Sequence, residues 1–94
     1  MSVKIKKEIK KIENDIIGYR RNFHQYPELS FEEYLTSEKI GDYLKSMGLN
    51  PKMKVGKTGV IADISWGSGP TIALRADMDA LPIQEKSGLK YSSK

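Results

Sequence analysis

The sequence contains no cysteine, which excludes a disulfide framework and any zinc site built on thiolates within these residues. It has one histidine, His24, so no multi-histidine metal site can be assembled from this chain alone. No apolar run approaches the ~20 residues of a membrane span, and a membrane partner is not expected. The lysine-rich beginning lacks the apolar stretch of a signal peptide, so the expected address is cytoplasmic. Internal repeats and low-complexity segments are absent. A concentrated basic face is missing too, although the net charge is +4 and the pI about 9.3. Residues 1–25 carry seven Lys/Arg against three acids, 26–50 two against five, and 51–94 seven against four. That mixing, with no aromatic-interleaved basic stripe, argues against nucleic acid as a partner.

What is present fits one small domain, residues 1–94. A chain of this size buries only about 60–65% of its unfolded surface, which leaves little margin of stability. Residues 3–25 read as an amphipathic helix. Ile5, Ile9, Ile12, Ile16, Tyr19 and Phe23 recur at spacings of four and three, a continuous stripe expected to dock on a sheet. A coiled-coil seam or a basic surface helix is the alternative use of such a stripe. Pro27 ends the helix, because the residue before a proline is pushed out of the α region.

Ser30-Phe31-Glu32-Glu33 has the spacing of a capping box, with Ser30 at the N-cap and Glu33 three residues on. The helix it opens is expected to run to about Met47, with Phe31, Tyr34, Leu35, Tyr43, Leu44 and Met47 broadly on one side. Gly48 supplies the left-handed residue after it, Leu49 the contact behind, and Pro51 a stop. Then the period changes. Lys52-Met53-Lys54-Val55 alternates like an edge strand. Residues 59–66 read as a second strand and 71–77 as a third. The second and third, joined at Gly67-Ser68-Gly69, are close enough for a hairpin. The tail from Glu85 to Lys94 is polar and lacks a period.

Two short motifs fail on inspection. Gly56-Lys57-Thr58 resembles the end of a phosphate-binding loop, but Pro51 stands where the first glycine belongs. His24 and Glu28 have the spacing of two ligands on one helical face, but Pro27 lies between them. His24 therefore reads as a hydrogen-bonded structural residue at the helix exit. None of the serines has the setting of a strained, exposed nucleophile.

The densest chemistry lies in Leu74-Arg75-Ala76-Asp77-Met78-Asp79-Ala80-Leu81-Pro82-Ile83. On a strand, Arg75, Asp77 and Asp79 point to one face. Two carboxylates that close, within roughly 7 Å, favour a cation beside them. A guanidinium, a metal ion or both would answer that need. A plain surface turn is the other reading of the same residues.

The stretch Gly69–Glu85 resembles the signature of the N-acyl-amino-acid amidohydrolases. These form the hippurate hydrolase and auxin-conjugate hydrolase branch of the zinc aminoacylase and carboxypeptidase family. Two further stretches agree, in family order: Arg20–Glu33 and Lys57–Asp63. The resemblance implies the N-terminal part of a three-layer α/β/α catalytic domain in which two helices precede three strands. It implies an activity for the full-length protein: metal-dependent hydrolysis of the amide bond of N-acyl amino acids or related peptides. The implied cofactor is a divalent metal, zinc or else manganese, cobalt or nickel. The implied assembly is a homodimer when full length. Asp79 matches a family aspartate that orients metal-site residues. Asp77 stands where the wider family has a metal-binding histidine, a replacement typical of this branch, and Arg75 accompanies it. The metal ligands, the general-base glutamate and the lid domain are expected outside these 94 residues, so the chain alone is expected to bind no metal and to be inactive. The runner-up is an independent binding module using the amphipathic N-terminal helix.

Overall fold

A computed structural model describes residues 4–94. Val3, the first residue of the expected N-terminal helix, lies outside them. The described residues carry three helices and two strands: α1 Lys7–Lys11, α2 Glu13–Gln25, α3 Tyr34–Ser46, β1 Lys52–Val55 and β2 Gly59–Ile61. This is a mixed helix and sheet architecture. The chain divides into two units, one made of the residues up to Tyr26 with Gln84–Lys94, the other of Pro27–Ile83.

In the first unit the expected single helix is two. Ile12 leaves helical geometry (φ −103°, ψ 6°), closing α1 and opening α2. Its amide bonds Ile9 and its carbonyl takes the amide of Ile16, so the hydrogen-bond chain shortens without being lost. The stripe of Ile5, Ile9, Ile12 and Ile16 is about half exposed. α2 stops where Pro27 predicts, with Tyr26 as its last capped residue bonded to the Asn22 carbonyl.

In the second unit the capping box does not form. The amide of Glu32 bonds the Leu29 carbonyl at 2.9 Å, and Phe31 takes a left-handed φ of 65°. Ser30 and Phe31 are thus spent in a turn, and α3 begins only at Tyr34. The C-terminal end follows expectation. Gly48 has φ 85°, its amide bonds the Lys45 carbonyl, and the Leu49 amide bonds that of Leu44, the paired bonds of a glycine-stopped helix.

β1 and β2 pair antiparallel, Lys52 with Ile61 and Val55 with Gly59, with an irregularity between. The left-handed Lys54 (φ 57°) lies in it. The hairpin therefore joins the first and second expected strands rather than the second and third. The second stops at Ile61, and 71–77 pairs with nothing among the described residues. The reason is physical: a strand exists only through its neighbours, and residues 62–79 meet none.

α3 lies against both strands with its small polar face. Thr36, Ser37 and Gly41 are buried, and Gly41 admits the tip of Met53 so closely that a Cβ would sit 2.7 Å from its sulfur. Phe31, Tyr34, Leu35 and Met47, expected to mark the packed side, are exposed. Among the described residues no hydrophobic side chain is buried; Glu33, Thr36, Ser37 and Thr58 are.

Candidate functional site

The acidic motif lies at the far end of the unpaired segment, in the Pro27–Ile83 unit. Arg75 Nη2 and Asp77 Oδ1 are 3.3 Å apart, both side chains well exposed. The guanidinium thus serves the carboxylate two residues on, although the segment is not a strand. Exposed pairs of this kind contribute at most about 1 kcal/mol. Asp79 is exposed and makes no hydrogen bond or ion pair among the described residues. The tip therefore presents one paired and one unpaired carboxylate to solvent.

Just beyond it, the motif is tied to a second signature. The Ala80 amide donates to the Glu28 carbonyl at 2.8 Å, and Leu29 and Ala80 form a parallel bridge. The side chain of the same Glu28 takes the work that Ser30 was expected to do. Its Oε1 accepts the Thr36 amide at 2.5 Å and its Oε2 the Leu35 amide at 3.2 Å, two of the free donors that open α3. Partial burial pushes the Glu28 carboxyl up. The Thr36 hydroxyl and amide, the Leu35 amide and the charge of Lys39 outweigh it, so the group sits below its ordinary range.

The third signature joins through Glu33. Thr58 Oγ1 donates to Glu33 Oε2 at 3.3 Å, both residues buried, so the hairpin turn is pinned to the start of α3. The other oxygen, Oε1, has no hydrogen-bond partner among the described residues. The Lys57 ammonium, beside Thr58, lies over the Phe31 ring at 5.8 Å. Gly56-Lys57-Thr58 is thus a hairpin turn, with Gly56 at φ 59° and no phosphate cradle implied.

In the other unit, His24 ends α2 facing Glu85, with Nε2 and Oε1 2.6 Å apart. Hydrogen bonds from the Ser87 hydroxyl and the Ser93 amide, opposed by some desolvation and joined by the Ser93 hydroxyl and His24, lower the Glu85 carboxyl to about 2. An ionised carboxylate only accepts, so Nε2 carries the ring proton. The Ser93 hydroxyl is also 2.7 Å from the His24 carbonyl, and the Lys94 amide donates to that of Gln25. The Arg21 guanidinium lies 4.5 Å over the Tyr91 ring, whose edge meets His24. The tail that sequence left without structure is thus clasped to the end of α2. The polar run of serines around Glu85 was the one available signal.

Among the described residues no group of three or more His, Cys, Asp or Glu is placed to hold a metal ion. No described helix is long and apolar enough to cross a membrane.

Comparison with known proteins finds relatives named as deacetylases, carboxypeptidases and amidohydrolases. It is 56% identical over 84 residues to an N-acetyl-L-cysteine deacetylase of Bacillus subtilis, covering 88% of this chain and 20% of the relative. It is 44% identical over 93 residues to thermostable carboxypeptidase 1 of Saccharolobus solfataricus, 97% and 24%. It is 41% identical over 91 residues to an N-acyl-L-amino acid amidohydrolase of Geobacillus stearothermophilus, 96% and 25%. The chain thus spans about a fifth to a quarter of the length of the relatives it matches. No protein-family profile matches it. No solved structure matches it.

Proposed function

Since this chain belongs to the N-acyl-amino-acid amidohydrolase family, we propose that it is the N-terminal part of the catalytic domain of a metal-dependent enzyme that hydrolyses the amide bond of N-acyl amino acids or related peptides. The observation that carries this is identity of 41–56% across nearly the whole chain to relatives named for that chemistry. The three-layer α/β/α domain, the divalent metal (zinc, or manganese, cobalt or nickel), the homodimer and the cytoplasmic address belong to the same proposal. The metal would be held by residues brought by the rest of the domain; among the described residues no three His, Cys, Asp or Glu are grouped to hold one. Asp79 would act as a positioning residue: its carboxylate is free of partners among the described residues and so open to orient a ligand brought by the rest of the domain. Arg75 would stay paired with Asp77 beside it. Alone, the chain would be inactive.

The test joins this chain to the remainder of the Bacillus subtilis deacetylase, replacing its aligned residues. The fusion should release free amino acid from N-acetyl-L-cysteine, and the 94-residue chain should not. Asp79→Asn in the fusion should lower turnover or metal affinity roughly 10–100-fold, the usual cost of losing a carboxylate that orients a metal ligand. Wild-type kcat/KM with normal metal content would reduce Asp79 to a turn residue.

A second reading rests on the half-exposed isoleucine stripe, which lines a shallow apolar groove with Lys10 and Glu13. A binding module would use that groove. It predicts that an inactive fusion accompanies capture of a partner by Ile9 and Ile16, lost on Ile9→Asp.

A further inference from the structure

A groove between α3 and the hairpin is lined by charges of both signs that do not meet. It holds about 630 Å³ within the Pro27–Ile83 unit, inside the range of small-molecule sites. The α3 wall presents Glu38 and Asp42, four residues apart and so neighbours on the helix surface, next to the buried Ser37 and Gly41. The hairpin wall presents Lys54 and Lys57. A helix ordinarily turns an apolar stripe toward the sheet it lies on. Here the seam is polar and open. Among the described residues Glu38, Asp42 and Lys54 make no ion pair or side-chain hydrogen bond.

The basic wall exists through a break in the strand. A regular strand sends Met53 and Lys54 to opposite faces. Both line the groove, because Lys54 is left-handed (φ 57°) at the irregularity in β1. Lys57 is left-handed too, at φ 94°. Glycine or asparagine is the usual occupant of such backbone, so two lysines there need a reason beyond the turn itself. The Lys57 ammonium is steadied over the Phe31 ring at 5.8 Å. The apolar part of the lining is the Met53 thioether, seated against Gly41, and the Tyr34 ring. Thr58 also lines the groove. It is bonded to Glu33, a buried acid at the start of α3 whose second oxygen has no hydrogen-bond partner among the described residues.

We propose that this groove binds a free α-amino acid with an apolar side chain. Its ammonium would lie on Glu38 and Asp42, its carboxylate on Lys54 and Lys57, and its side chain on Met53 and Tyr34. The occupant follows from charge complementarity. A simple anion meets two acids and a simple cation meets two lysines; a ligand carrying both charges satisfies both walls. An N-acyl amino acid has lost its ammonium to the amide and fits only one wall. The groove therefore distinguishes an amino acid from its acylated form. On the proposed function, on which this last consequence alone rests, that is the distinction between product and substrate. Released amino acid would then be sensed by residues other than those of the acidic motif.

Amide NMR tests this, with L-leucine as the probe, in the 94-residue chain and in its fusion to the remainder of the Bacillus subtilis deacetylase. The expected result in both is a saturable shift of the Gly41, Asp42, Lys54 and Lys57 amides, with a Kd of about 1 mM or below. N-acetyl-L-leucine and isoamylamine each keep one of the two charges and should bind about tenfold more weakly or worse. Glu38→Gln with Asp42→Asn, or Lys54→Gln with Lys57→Gln, should weaken L-leucine to the same extent. All four side chains are exposed, so the remaining α3 and hairpin signals should keep their positions. No saturable shift at these amides would overturn the proposal. So would equal binding of the three ligands, or undiminished binding in both paired variants. Shifts confined to other parts of the fusion would overturn it by placing the amino acid elsewhere. An inactive fusion that binds L-leucine at these amides would sink the enzymatic reading and leave this inference standing; an active fusion with no shift there would do the reverse.

Discussion

Glu28 offers the sharpest quantitative prediction. Its carboxylate replaces the expected Ser30 cap, receiving the amides of Leu35 and Thr36 at 3.2 and 2.5 Å. Glu28→Ala removes both acceptors. A lost cap costs typically about 1 kcal/mol. Loss of a negative charge at a helix N-terminus costs a further 0.3–1 kcal/mol or so. Thr36 is buried, so its amide finds no water in exchange. The total is about 2 kcal/mol, or roughly a 30-fold gain in the opening of α3. Glu28→Gln keeps one acceptor and loses the charge, for about 1 kcal/mol. Ser30→Ala should stay within about 0.5 kcal/mol, because Ser30 sits in a turn and caps nothing. Hydrogen exchange of the interior α3 amides reads all three variants. The Glu28 carboxyl lies below its ordinary value when folded, so the cap is fully present above that value of 4.5 and is lost as pH falls beneath it. α3 in Glu28→Gln should therefore lack the acid-induced loosening seen in the parent. If Ser30→Ala opened α3 as much as Glu28→Ala does, the capping assignment would be wrong.

Three further outcomes follow from the same contacts. Glu85, lowered from 4.5 to about 2, should hold the tail clasp at full strength above pH 4.5 and release it as pH falls toward 2; side-chain NMR of Glu85 with the Lys94 amide as reporter shows this, and Glu85→Gln should weaken the clasp at neutral pH. Gly59→Ala should break the hairpin, because the new Cβ would lie 2.5 Å from the Val55 carbonyl oxygen, whereas Gly41→Ala meets only the movable tip of Met53 and should cost little; exchange of the β1 and β2 amides separates the two. Thr58→Val should cost about 1–3 kcal/mol by stranding the buried Glu33 carboxylate, measured by denaturant unfolding, and Glu33→Gln in that background should recover part of it.

The legible parts of the fold were those decided by neighbours in sequence. Pro27 and Gly48 stop their helices where local sterics demand, and Lys52–Val55 extends as a strand, though all four residues are exposed and Lys54 is left-handed rather than alternating. The capping box misled because its spacing is local but its outcome is not. The turn at Ser30–Phe31 puts Phe31 in left-handed geometry and leaves the cap to Glu28. The hairpin was assigned to the wrong pair for a related reason. Hydrophobic period marks which segments extend, and pairing is chosen by turn geometry, here the left-handed Gly56 and the crowded Gly59. His24 was placed correctly at a helix exit, yet its partner lies 61 residues away, a distance no periodicity spans.

The three signatures now separate into two kinds of residue. Glu28, Glu33, Thr58, His24 and Glu85 each bond a group far along the chain, and each is accounted for by holding its own unit together. Arg75, Asp77 and Asp79 hold nothing of the kind. Among the described residues their only bond runs between near neighbours on an exposed segment, and Asp79 has none. A folding requirement therefore explains the first group and leaves the second unexplained. Carboxylates two residues apart at the end of an apolar run repel each other and gain nothing from solvent that serine or asparagine would not. Their presence makes sense if the run is inserted in a sheet and its end faces a cation or a reacting group supplied from elsewhere. On the proposed function that group belongs to the hydrolytic site, and Asp79 is the carboxylate left open to meet it.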